Sequence, residues 1–145
     1  MHGTFVAKPP QEVFDFVADV DNSPKWQATL FNVHEKTAVS GTGHLQAQAK
    51  VSDARNILGK TVQAQWQVID YEPARKITME VVENSPVYWK MTFTTEPVDG
   101  GTFLVGDGGG DLGEMNMSPA AFSHACQLML QNDLATLQQI LERGN

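Results

Sequence analysis

The chain has 145 residues, of which 41% are hydrophobic and 19% charged, with a net charge of −7 and a pI near 4.9. That composition belongs to a globular protein rather than a disordered segment, and the length fits one domain spanning residues 1–145. The acidic balance opposes nucleic-acid phosphates and anionic lipid as partners. The single cysteine, Cys126, excludes an internal disulfide and a cysteine-based metal cluster. With no signal-length or bilayer-length apolar run, a cytoplasmic location and no membrane contact are expected.

Gly3 to Ala7 supplies a short first strand, which Lys8-Pro9-Pro10 stops because proline lacks the ladder N–H. Pro10 to Ala18 follows as a short amphipathic helix, with Val13, Phe14 and Val17 on its apolar face. Asn22 or Ser23 caps a second short helix with Pro24 in its first turn and Trp26 as a core residue. From Phe31 the chain is extended, with Phe31, Val33, Thr37 and Val39 on one face and His34 and Lys36 on the other. After a turn at Ser40-Gly-Thr-Gly43, the return strand alternates Leu45, Ala47, Ala49 and Val51 with His44, Gln46, Gln48 and Lys50.

The clearest pattern lies in the block Ile57 to Lys76. Val62, Ala64, Trp66 and Val68 share one face, Gln63, Gln65 and Gln67 the other, and a Tyr71-Glu-Pro turn follows. Ile77, Met79 and Val81 mark another strand, with a break at Glu83-Asn-Ser-Pro86. Val87 to Thr95 and Thr102 to Gly106 then form a hairpin through Val98-Asp-Gly-Gly101. Asp107-Gly-Gly-Gly-Asp-Leu-Gly113 lacks the Gly-Lys-Ser/Thr ending of a phosphate loop and reads as a flexible connector. Ser118-Pro119 opens one long helix whose apolar stripe runs through Phe122, Cys126, Met129, Leu130, Leu134, Leu137 and Leu141, and Gly144 ends it.

The order is a short strand, two short helices, six antiparallel strands and a long helix, an α+β plan in which a curved sheet of about six to seven strands grips the C-terminal helix. Particular segments match a known pattern: Ala7-Lys-Pro-Pro-Gln-Glu-Val-Phe-Asp-Phe-Val-Ala-Asp through Pro24-Lys-Trp26, Leu58-Gly-Lys, Tyr71-Glu-Pro-Ala-Arg75, Phe93 to Thr102, and Asp133-Leu-Ala-Thr-Leu137. Together they resemble the START-related helix-grip superfamily, SRPBCC, in its polyketide cyclase/dehydrase-like branch, over nearly the whole chain. The resemblance implies a largely apolar cavity between the sheet and the C-terminal helix, open to a hydrophobic or aromatic small molecule. It implies either cyclase or dehydratase chemistry without metal or organic cofactor, or a non-catalytic carrier; a co-chaperone-like role ranks last. A homodimer is compatible with the sequence.

Given such a cavity, polar groups facing inward carry the chemistry. Glu35 shares the face of Val33, where an apolar setting would make it a general acid or base; the plainer reading is a solvated strand-end residue. Asp107, in the acidic glycine-rich connector with Asp111 and Glu114, is a candidate lid residue, and His124 lies at the edge of the helical stripe. His34 and His44 fall on the polar face. Trp26, Val33, Trp66, Met79, Trp89, Met91, Met115, Phe122 and Met129 are candidate ligand contacts, the tryptophans as flat walls and the methionines as deformable ones, with plain core filling as the alternative. No two histidines stand at i, i+4 and there is no Glu-x-x-His, so a metal site has no support in the sequence.

Overall fold

The computed structural model describes residues 2–27, 30–40, 44–57, 60–82, 88–111 and 119–143. In chain order the elements are β1 (His2–Val6), α1 (Pro10–Ala18), α2 (Ser23–Trp26), β2 (Leu30–Ser40), β3 (His44–Ile57), β4 (Lys60–Glu72), β5 (Lys76–Val81), β6 (Tyr88–Val98), β7 (Gly101–Asp111) and α3 (Pro119–Arg143). The strands form one curved antiparallel sheet in the order β1-β7-β6-β5-β4-β3-β2. Every strand after β1 pairs with its sequence neighbour, so the sheet is a meander. β1 returns to pair with β7 and forms one edge of the sheet, with β2 at the other.

Alternation decides which side of the sheet is dry. In β4, Ala64, Trp66 and Val68 are buried while Gln63 and Gln65 are exposed. In β6, Trp89, Met91, Phe93 and Thr95 point inward and Tyr88 outward. Helix α1 buries Val13, Phe14 and Val17 against this face, and α2 buries Trp26 edge-on to Phe93, with ring centroids 5.5 Å apart. Helix α3 packs along β1 and β7 and touches α2, burying Leu130, Leu134, Leu137 and Leu141. Its far end is clamped to β1: the Gln138 side-chain N–H donates to the Phe5 carbonyl at 2.6 Å, and the Ala7 N–H donates to Glu142 at 2.9 Å.

Three sequence expectations change. First, Asp107 to Asp111 are not a connector but the end of β7, paired with β6 from Asp107 opposite Thr92 to Asp111 opposite Tyr88. Glycine has poor intrinsic strand preference, but here it leaves room for large neighbours. A Cβ at Gly108 would stand 3.5 Å from Trp89 Nε1 and Met91 Cγ, and one at Gly106 3.2 Å from Leu130 and Phe93. Second, Ala47 is exposed. Leu45 pairs with Val39 and Lys50 with Thr37, so β3 spends extra residues there, with Gln48 at φ 71°. Third, β2 does not keep strict alternation, because its pairing with β3 shifts between Leu30 and Asn32, Val33 and Glu35, and Thr37 and Val39.

Gly41 to Gly43 of the turn that begins at Ser40, the break at Glu83 to Pro86, Val87, Ser118 and Gly144 lie outside the described residues.

Candidate functional site

A pocket opens on the dry face of the sheet beneath α1 and α2. Val17 of α1, then Val20, Ser23 and Gln27 form one wall, Leu30 and Val33 of β2 another, and Leu45, Val51 and Asp53 of β3 a third; Ile77, Met79, Met91 and Phe93 of β5 and β6 close it. Its cavity volume is only about 20 Å³, roughly the room of one water molecule. A ligand larger than a few atoms therefore displaces side chains, and the thioethers of Met79 and Met91 are the most deformable of them. The family resemblance implies a cavity between sheet and C-terminal helix. The described residues of α3 do not line it, because α3 lies over β1 and β7 while α1 and α2 cover the pocket strands.

Ten of the thirteen described lining residues are apolar, so among them the other three carry the polar chemistry. Asp53 is 3% exposed, Ser23 6% and Gln27 6%. A carboxyl held in an apolar wall beside a pocket is a candidate for proton transfer. Gln27 is held in place by its backbone: its N–H donates to the Ser23 carbonyl at 2.9 Å, and its carbonyl accepts from the Leu30 N–H at 3.1 Å. Its side-chain oxygen is buried and receives no hydrogen bond among the described residues. Nearby, Tyr71 packs edge-on to Phe14 at 5.8 Å, and burial, aided by the negative charge of Asp15, pushes its phenol above the ordinary value.

Of the residues singled out in the sequence, the structure brings Val33, Met79 and Met91 together in the pocket wall. Trp26, Trp66 and Trp89 are buried but do not line it: Trp66 and Trp89 face each other at 6.3 Å, tilted by 52°, as core neighbours. Met129 is half-buried against the core. His124 is exposed on α3. Asp107 is exposed on the outer face of β7, as its odd position beside inward Gly106 and Gly108 dictates, which takes it out of any lid. Glu35 sits opposite Ser52 in the backbone register, beyond the shift after Val33; its side chain, like those of His34, His44, Phe122 and Cys126, lies outside the described residues, as do Glu114 and Met115 altogether.

Asp53, Ser23 and Gln27 escaped sequence reasoning. Asp53 carried a usable signal, since it stands in phase with Ala49 and Val51, two residues past the point where the strand is read to end. Ser23 reads only as a helix cap, and Gln27 carries no sequence signal. No group of three His, Cys, Asp or Glu able to hold a metal ion occurs among the described residues, and none of their helices is long and apolar enough to cross a membrane.

A curved antiparallel sheet with a long C-terminal helix and an apolar pocket under two short helices defines a helix-grip protein of the START type. The chain belongs to the family of polyketide cyclases/dehydrases and lipid transport proteins, whose model matches residues 4–142. Among solved structures it is similar to a START superfamily protein from Mycobacterium smegmatis, at a TM-score of 0.80 and 12% identity, covering 99% of this chain and 97% of that one. It is also similar to the ZhuI aromatase/cyclase from Streptomyces sp. R1128, at 0.70 and 18%, covering 98% and 92%, and to a Deinococcus radiodurans protein, at 0.70 and 16%, covering 99% and 96%. At these identities the likeness is one of fold. No curated protein matches the chain.

Proposed function

We propose that the protein takes a hydrophobic small molecule into the pocket beneath α1 and α2 and moves a proton on it, in the manner of a cyclase or dehydratase. The observation that carries the reading is Asp53, a carboxyl 3% exposed in a wall otherwise built from Leu45, Val51, Ile77 and Met79. Proton abstraction next to a carbonyl needs a base close to the reacting carbon and screened from water, and this wall supplies that setting. Family membership and the aromatase/cyclase neighbour support the same reaction class. The apolar remainder of the lining supports a second reading, a carrier that binds without chemistry.

Two assays separate the readings. Titration with N-phenyl-1-naphthylamine, an uncharged apolar fluorophore, is expected to saturate at one molecule per chain and to be lost in Val51→Trp, which fills the pocket. Saturable binding that survives the plug places the ligand elsewhere. For the chemistry, exchange of the α-protons of 1-phenylbutane-1,3-dione into deuterated water is followed by NMR. Wild type accelerates it, and Asp53→Asn is expected to cut the acceleration by about 10²-fold or more, the usual worth of a positioned base. Binding without acceleration in the wild type leaves the carrier.

A further inference from the structure

The polar atoms of the pocket are unequal in kind, and that inequality selects a ligand. Gln27 is 6% exposed, its backbone N–H and carbonyl are both engaged, and its side-chain oxygen is a buried acceptor with no donor among the described residues. A buried acceptor left unsatisfied costs about 1–3 kcal/mol, so a partner that arrives with the ligand recovers what the empty fold gives up. Ser23 lies one helical turn before Gln27 on the same wall, and Asp53 brings carboxyl oxygens, which accept when ionised. No Lys, Arg or His stands in the described lining. A ligand carboxylate or sulfate would bring only acceptors to the Gln27 oxygen and a second acid beside Asp53, whereas a ligand O–H satisfies the buried acceptor.

Resting on the pocket reading above, we infer that the site selects a neutral apolar molecule whose buried end carries an O–H donor, an alcohol or phenol, received by the side-chain oxygen of Gln27. The same wall discriminates against carboxylates of equal size, including fatty acids. The apolar body of the ligand then lies along Val51, Ile77 and Met91, and the hydroxyl points toward α2.

Three probes of one ring system test this by isothermal titration at neutral pH: 2-naphthol, which donates; 2-methoxynaphthalene, which does not; and 2-naphthoic acid, which is ionised. Wild type is expected to bind the naphthol about tenfold more tightly than the ether, the worth of one buried hydrogen bond, and to bind the naphthoate most weakly. The side-chain amide resonance of Gln27 shifts with the naphthol. In Gln27→Met, checked for an unchanged thermal transition, the naphthol and the ether come within about twofold of each other. Equal affinity of wild type for naphthol and ether, or tighter binding of the naphthoate, overturns the inference while leaving the pocket as a hydrophobic site. A preference that persists undiminished in Gln27→Met also overturns it, because the hydroxyl is then received elsewhere. Binding of none of the three overturns both this inference and the pocket reading.

Discussion

Thr102 offers a clean perturbation of the corner that presents α1 to the pocket. It is fully buried on β7, pairs with Val6 across the β1–β7 ladder, and its hydroxyl donates to the Lys8 carbonyl at 2.7 Å, just before Pro9 and Pro10 turn the chain into α1. The next residue back, Gly101, leaves no space for a side chain, since a Cβ there would stand 2.2 Å from the Val6 carbonyl oxygen. Thr102→Val keeps the volume and removes the donor, leaving the Lys8 carbonyl without that hydrogen bond at a cost of about 1–3 kcal/mol. With about 2.1 cal/mol/K of unfolding entropy per residue over 145 residues, each kcal/mol lowers the midpoint by about 3 °C. The Val variant should therefore melt roughly 3–10 °C below wild type by circular dichroism, with an unchanged urea m-value. Thr102→Ser retains the hydroxyl and loses one methyl, a smaller change of about 1 kcal/mol. If Val melts with wild type, or Ser falls below Val, the hydroxyl is not what holds the corner.

Other outcomes follow from single residues. Ala74 sits at φ 60° in the Tyr71-Glu-Pro-Ala-Arg turn, where its carbonyl accepts from the Thr95 hydroxyl at 2.7 Å; Ala74→Gly relieves the left-handed conformation and should raise stability in urea by about 1 kcal/mol. Leu137, fully buried on α3, should cost about 2–5 kcal/mol on truncation to Ala in the same assay, and a loss below 1 kcal/mol would mean that α3 is not packed as described. Tyr88 donates to Glu80 at 2.7 Å, and that hydrogen bond holds its phenol above the ordinary value of 10.0. Because the folded pKa is raised, the pair stabilises the fold below pH 10 and is lost as the pH climbs through the folded value. Phenolate absorbance in a Tyr71→Phe background should show Tyr88 titrating late, and Glu80→Gln should bring it back down.

Much of this arrangement is legible in the sequence, because the signals there are local. Pro10 at the first turn and the Val13, Phe14, Val17 spacing define α1 at its observed ends, and the glutamine-against-apolar alternation of β4 gives its buried face correctly at Ala64, Trp66 and Val68. What escapes is set by pairing across the sheet. The glycines of β7 speak for a loop until Trp89 and Phe93 are seen to fill the space above them, and the bulge around Gln48 turns Ala47 outward with no mark in the residues themselves. The candidate site suffers most from the same cause. Parity points to Glu35 in a strand whose register shifts beside it, while Asp53, in unbroken phase with Val51, is a carboxyl buried in the pocket wall. Gln27 follows a core tryptophan and becomes a pocket residue only when α2 folds over the sheet.

The central claim, a pocket beneath α1 and α2 that holds an apolar small molecule, is tested most directly by native mass spectrometry of freshly purified wild type beside Val51→Trp. The account predicts a wild-type population carrying the mass of one copurified small molecule, absent from the plugged variant while its charge-state distribution stays that of a folded chain. An adduct retained in Val51→Trp would contradict it, as would wild type that stays bare even after incubation with 2-naphthol.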